Sequence, residues 1–248
     1  MYTADITRPD MLWAAFVKSP HPHARVRSID TGEARNVPGV RAVITGKDIG
    51  PKFFGRRLAD WPVLAFEKVR FIGDRVAAVA AETLEAAEEA ARRIEVEYEE
   101  LPAVFDPLAA LAPGAPVLHD DPGSYAFAGS ERPMPAHPNI QGSRRHAKGE
   151  RDLEPLFAAS YRVFEHRFRT PRQHHGFIEP HAALVFIDRD GTLHVHTPCK
   201  APFRLRNQFA AVTGLPLEKI VIEPSYIGGD FGGKGLVIEE FACYFLAR

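Results

Sequence analysis

Gly228-Gly229-Asp230-Phe231-Gly232-Gly233-Lys234-Gly235 places five glycines in eight residues. Without Cβ atoms, such a backbone can approach a ligand closely and can enter φ > 0 where a turn demands it. The stretch follows the apolar run Ile220-Val221-Ile222 and precedes a helix-like pattern from Leu236 to Leu246. A strand, a glycine loop and a helix start together expose several backbone N–H groups, which suits a phosphate-bearing cofactor. A tight turn with no ligand is the alternative reading of the same glycines.

Two common phosphate loops fit poorly. Gly228 to Lys234 satisfies the first seven positions of a P-loop, but the eighth is Gly235 rather than a magnesium-holding Ser or Thr. Phe231 is also a poor residue for a loop that wraps phosphates. The dinucleotide fingerprint G-x-G-x-x-G is met neither from Gly228 nor from Gly229.

The remaining sequence bounds the class. The 248 residues allow one large or two modest domains, and 45% hydrophobic with 25% charged residues is a globular balance. A formal net charge of −1 gives no electrostatic case for nucleic acid or an anionic membrane. No run of about 18 apolar residues suggests a membrane span. Met1 to Asp10 lacks the apolar core of a secretory signal. Cys199 and Cys243, the only cysteines, have no metal-type spacing and cannot form a disulfide framework, so the cytoplasm is the expected compartment.

Patterning divides the chain into two regions. In the first, Arg41 to Thr45 and Arg75 to Ala81 read as buried strands. Between Thr83 and Ile94, Leu84, Ala87, Ala91 and Ile94 share a helical face, with Thr83 as N-cap. Ile94 to Tyr98 is again strand-like, so this part is an α+β or βαβ unit. From Ala112 to Gly149, Pro113, Pro116, Pro122, Pro133, Pro135 and Pro138 interrupt any regular element and mark a connector. The second region restarts near Leu153, with an alternating stretch from Tyr161 to Arg169. Ala183 to Ile187 and Thr192 to Thr197 form a hairpin about Asp188-Arg189-Asp190-Gly191. Phe203 to Val212 is helical and is ended by Gly214 and Pro216. Lys219 to Glu223 is the strand that leads into the glycine loop. Val237, Ile238, Phe241, Phe245 and Leu246 form an apolar helix face for which the sequence offers no evident cover.

Gly-Gly-x-Phe-Gly-Gly-Lys after a strand resembles the molybdopterin-binding subunit of the xanthine dehydrogenase and aldehyde oxidase family. Ser19-Pro20-His21-Pro22-His23-Ala24-Arg25 with Ile29-Asp30 resembles the start of that family's hammerhead domain. Pro38-Gly39-Val40-Arg41-Ala42-Val43, Val69 to Ala77 and Glu97 to Val104 are similar to its later segments. Gln173-His174-His175 and Ile178-Glu179-Pro180-His181 resemble the opening of the cofactor domain. The resemblance implies an α+β fold: a hammerhead domain over 1–111, a connector over 112–149, and an incomplete molybdopterin-binding domain over 150–248. It also implies an N-terminal piece of a longer subunit, or half of a split one, with little or no leader.

The resemblance implies a chemistry as well. Such enzymes hydroxylate an activated carbon, of aldehyde or N-heteroaromatic type, with oxygen from water. The expected cofactor is molybdenum on molybdopterin, as the cytosine dinucleotide. Iron–sulfur and FAD subunits, together with the rest of the large subunit, are the expected partners, and a small molecule is the substrate. Gly228, Gly229, Phe231, Gly232 and Gly233 are the expected cofactor-contacting residues. The alternative for Phe231 is a core plug beneath a turn. Thirty-one positions earlier, where xanthine-type members place a glutamine on an oxygen ligand of the metal, stands Lys200. A lysine can donate there, or it can be a solvated strand-end residue. Gly235 occupies the place of a substrate-gripping glutamate in purine oxidisers, which argues against xanthine. The general-base glutamate lies beyond this chain, so no catalytic residue is assigned within it. Gln173 and Glu179 are expected to brace the loop or the substrate funnel. No separate metal site is expected of His174, His175, His181, His194 and His196. A non-catalytic assembly subunit and an unrelated phosphate-binding module are the competing functions.

Overall fold

The computed structural model describes residues 1–56, 58–127, 137–143, 146, 148–149, 152–235 and 239–248. In chain order its strands are β1 (Trp13–Lys18), β2 (Ala24–Asp30), β3 (Val40–Thr45), β4 (Phe53–Phe54), β5 (Trp61–Pro62), β6 (Lys68–Val69), β7 (Arg75–Ala81), β8 (Glu95–Glu100), β9 (Leu184–Ile187), β10 (Leu193–Thr197) and β11 (Ile220–Pro224). Its α-helices are α1 (Gly32–Arg35), α2 (Gly46–Ile49), α3 (Leu84–Arg92), α4 (Glu154–Ala159), α5 (Pro202–Thr213) and α6 (Glu240–Ala247). The fold is α+β.

The run Arg75–Ala81 is buried along its whole length because it is the central strand of a three-stranded sheet ordered β1-β7-β3. A central strand covered on both faces tolerates an unbroken apolar run. Ala77 and Val79 face one core with Ala34, Val37, Val43, Ala90 and Ile94, while Ala78 joins the other core. That alternation is the period of two of a pleated strand. Its alanines leave room for α3, whose Thr83 hydroxyl caps the Ala86 N–H at 3.1 Å.

The strand–helix–strand pattern is therefore not a βαβ unit. β7 and β8 lie in different sheets, β8 pairing with β2 in the order β6-β2-β8. A parallel crossover does occur later. β9 and β10 form the hairpin about Asp188–Gly191, and α5 returns the chain to β11, parallel to β10. The alternating stretch from Tyr161 to Arg169 forms no strand and is exposed, with Tyr161 and Phe168 almost fully in solvent.

The last helix does have a cover, contrary to the expectation from its sequence. Phe241 is 1% exposed, its ring 4.5 Å from that of Phe209 and 4.8 Å from that of Phe54. The largest core joins Phe54, Val63, Leu64 and Ala78 of the first region to Val195, Phe209 and Phe241 of the second. The two regions thus share buried apolar surface, which linear patterning does not reveal. The expected helical positions Val237 and Ile238, the prolines Pro133 and Pro135, and the boundary at Glu150 lie outside the described residues.

Candidate cofactor site

β11 delivers the chain into the glycine loop at the edge of the second sheet. Asp230 shapes the turn: its carbonyl accepts the Gly233 N–H at 2.6 Å, and its Oδ1 accepts the Lys234 N–H at 2.5 Å. Its Oδ2 pairs with the Lys200 ammonium. Lys200 first, and the backbone donors after it, hold the Asp230 carboxyl below its ordinary range. A short polar side chain that accepts from N–H groups a few residues on is the usual device for closing such a turn.

Phe231 sits at the crest of this turn with φ 44° and is 74% exposed. That excludes the core plug. A left-handed conformation is uncommon for a bulky residue and costs energy that local packing does not explain.

The segment from His175 to Glu179 lies beneath the loop. A Cβ added at Gly228 would come within 2.7 Å of the Glu179 Cβ, one at Gly229 within 2.9 Å of the Phe177 Cβ, and one at Gly233 within 2.7 Å of the Phe177 ring. These three glycines therefore permit close packing of protein on protein. Gly232, at φ 94°, is different: an added Cβ would meet only the His175 ring nitrogen, at an ordinary contact distance of 3.8 Å, so no protein atom crowds its face. Gly228 donates its N–H to Glu179 Oε2 at 2.6 Å, so the N–H groups of Gly228, Gly233 and Lys234 are satisfied within the protein.

Lys234 would be the phosphate-binding lysine of a P-loop. It is instead wholly buried, its Nζ 2.5 Å from Glu179 Oε2 and 4.7 Å from the centre of the Phe177 ring. A cation locked in this way cannot reach a phosphate, which removes the P-loop reading on structural grounds. Glu179 braces the loop through both the Gly228 N–H and Lys234, and its Oε1 is buried with no partner among the described residues. Gln173 is exposed.

The histidines separate into two groups. His175 is stacked near Phe177, and His181 meets the same ring edge-on at 5.2 Å, with burial holding the His181 pKa below its usual value. His194 and His196 lie on the outer face of β10, each 3.1 Å from Glu223, and His194 is also 3.2 Å from Asp188. Among the described residues, no cluster of three or more His, Cys, Asp or Glu side chains is arranged to hold a metal ion. No described helix is long and apolar enough to cross a membrane.

Sequence reasoning missed two residues, Asp230 as organiser of the turn and Lys234 as a buried partner. The first had a local signal, an aspartate followed by two glycines and a lysine within four positions. The second had none, because Glu179 is 55 residues away.

Comparison with known proteins places the chain in a family. Residues 1–102 match the family described as aldehyde oxidase and xanthine dehydrogenase, a/b hammerhead domain, and residues 135–248 match the molybdopterin cofactor-binding domain. The nicotinate dehydrogenase large molybdopterin subunit of Eubacterium barkeri is 36% identical over 94% of this chain and 51% of its own length. The carbon monoxide dehydrogenase large chain of Afipia carboxidovorans is 33% identical over 99% of this chain and 31% of its own. The aldehyde oxidoreductase of Desulfovibrio gigas superposes on the whole chain with a TM-score of 0.85 at 31% identity, the chain covering 27% of it. This chain thus spans about a quarter to a half of the length of these relatives. It belongs to the xanthine dehydrogenase and aldehyde oxidase family of molybdenum hydroxylases, matching the hammerhead and molybdopterin-binding parts of the large subunit.

Proposed function

We propose that this chain supplies one wall of the molybdenum site in an enzyme that hydroxylates an aldehyde or N-heteroaromatic carbon. The observation that carries this reading is Phe231, exposed and left-handed at the crest of a braced loop. A strained, exposed aromatic on a rigid support is costly for a bare turn and useful for a ligand platform. The residues fit the group: Gly232 carries no side chain on its outer face, and the exposed Phe231 ring stands beside it on a loop whose Asp230 is already paired with Lys200.

When bound, the molybdopterin centre, as its cytosine dinucleotide, supplies the two-electron oxidation, with electrons leaving to iron–sulfur and FAD subunits. The chain's own part is positional. Glu179 and Lys234 fix the base of the loop, Asp230 closes its turn, and Phe231 and Gly232 present its crest. No residue here is assigned the general base, which belongs to the remaining portion of the large subunit. The chain alone is accordingly inactive, and the assembly is cytoplasmic. Residues 1–111 are the hammerhead domain, 112–149 the connector and 150–248 the first part of the cofactor domain.

The test is Gly232→Val in the complete assembly. A branched Cβ blocks the open face and disfavours φ > 0. Bound molybdenum should be lost while circular dichroism shows the chain still folded, with the unfolding transition lowered only by the local strain at φ 94°. Full occupancy with normal turnover would leave the glycines as a turn only. A non-catalytic assembly role predicts that the wild-type complex holds no molybdenum.

A further inference from the structure

We infer that Lys200 is the counter-ion of Asp230, neutralising the carboxylate on the crest of the glycine loop so that an anionic cofactor can lie against it. This rests on the reading of the loop as a cofactor platform, and it assigns Lys200 to the loop rather than to the metal.

Three observations converge on the pair. The Lys200 ammonium is seated on Asp230 Oδ2. Its stem passes beside Gly235, where an added Cβ would stand 2.9 Å from Lys200 Cε, so the bare glycine leaves the lysine its direct course to Asp230, though a side chain there could be met by a shift of the flexible stem. Asp230 directly precedes the exposed Phe231, so its charge lies where a phosphate-bearing group would approach. The remaining bonds of the Asp230 side chain come from neutral backbone N–H groups, which orient the carboxylate without cancelling its charge.

A half-exposed ion pair of this kind adds little to stability, so its value lies in the local field. A like charge facing an anion at close range is strongly unfavourable, and a partner cation removes that penalty. A glutamine at position 200 could donate a hydrogen bond but could not neutralise Asp230. Lysine at 200 and aspartate at 230 therefore act as a pair, with glycine at 235 beside the lysine stem.

The experiment is a double-mutant cycle in the complete assembly, read as molybdenum and pterin content per protein and as the molybdenum EPR signal of the loaded fraction. Lys200→Met should lower cofactor content about tenfold, as an exposed carboxylate repels the anion. Asp230→Asn in the Lys200→Met background should restore most of it, because asparagine still accepts the Lys234 N–H and carries no charge. Lys200→Arg should retain near wild-type content. The EPR signal of loaded Lys200→Met should match wild type. Failure of Asp230→Asn to rescue, or an altered EPR signal in Lys200→Met, would overturn the inference and make Lys200 a direct donor to the metal's ligands. Gly232→Val serves as the control: if it keeps full molybdenum, the platform reading itself is wrong, and the inference falls with it.

Discussion

Arg75 on β7 and Glu239 at the start of α6 face each other across the shared core, guanidinium to carboxylate at 2.6 Å with a second contact at 3.1 Å. The pair links residues 164 apart in sequence and is mostly shielded, Arg75 more than Glu239. Removing one member of a shielded pair leaves the other charge unpaired. Glu239→Ala should therefore cost more than Arg75→Ala, about 2–3 kcal/mol in chemical unfolding. Glu239→Gln, which still accepts a hydrogen bond, should cost less. Equal, negligible losses would mean that the two regions are held by apolar packing alone.

Next to Arg75, Asp74 gives an unusual pH dependence. Burial pushes its carboxyl up to about 6, against the opposing pull of the Arg70 N–H and the charges of Arg70 and Arg75. Between about pH 4 and 6 the folded chain holds this proton and the unfolded chain releases it. Stability from this group is therefore gained as pH falls from 7 toward 4, on the order of 2–3 kcal/mol. Asp74→Asn should remove that gain. Chemical unfolding at pH 7 and pH 4.5 in both proteins measures the difference, and an unchanged pH slope would contradict the assignment.

How much of this is legible in the sequence depends on range. The run Arg75–Ala81, the α3 face and the Asp188–Gly191 hairpin are readable, because each is fixed by neighbours within a few residues. β1 is not readable as a strand, since its identity comes from pairing with β7, a strand far along the chain that sets Trp13 against Ala81. The separation of β7 and β8 into two sheets, and the cover that Phe54 and Phe209 give Phe241, are likewise properties of packing. In the site, the loop and Phe231 are visible as a motif. The Glu179–Lys234 lock is not, because nothing local distinguishes a buried lysine from a ligand-binding one.

That lock makes a further prediction. Lys234 is wholly buried and Glu179 nearly so, and the unpartnered Oε1 adds to the cost of leaving the carboxylate alone. Lys234→Met should destabilise the chain by about 3 kcal/mol. Adding Glu179→Gln should recover part of that loss, since a neutral amide is far cheaper to bury. Thermal unfolding of the two variants decides the point. A double variant worse than the single one would show that Glu179 acts independently of Lys234.

The division into two domains can be tested by limited proteolysis. Pro113, Pro116, Pro122 and Pro138 disfavour long elements, and among the described residues of 112–149 the helical element is a short 3₁₀ turn. First cuts should fall between Ala112 and Gly149, as seen by mass spectrometry of early fragments. Early cleavage within Val76 to Tyr98 would contradict the boundaries. Because the two regions share a core, the fragments should stay associated on gel filtration after cleavage.

Phe231 offers the most direct contrast between stability and function. Phe209, with no exposed surface, should cost about 3–5 kcal/mol when cut to alanine, since a cavity remains. Phe231 is 74% exposed and held at φ 44°, so it contributes little burial and carries backbone strain. Phe231→Gly relieves that strain at some cost in unfolded-chain entropy. The cofactor-free chain should therefore unfold within about 1 kcal/mol of wild type, on the stabilising side if strain relief wins. The same change in the complete assembly should reduce turnover, because the platform loses its ring. A loss of several kcal/mol in the cofactor-free chain would instead mean that Phe231 is there to hold the loop together, and the case for a ligand platform would lose its main support.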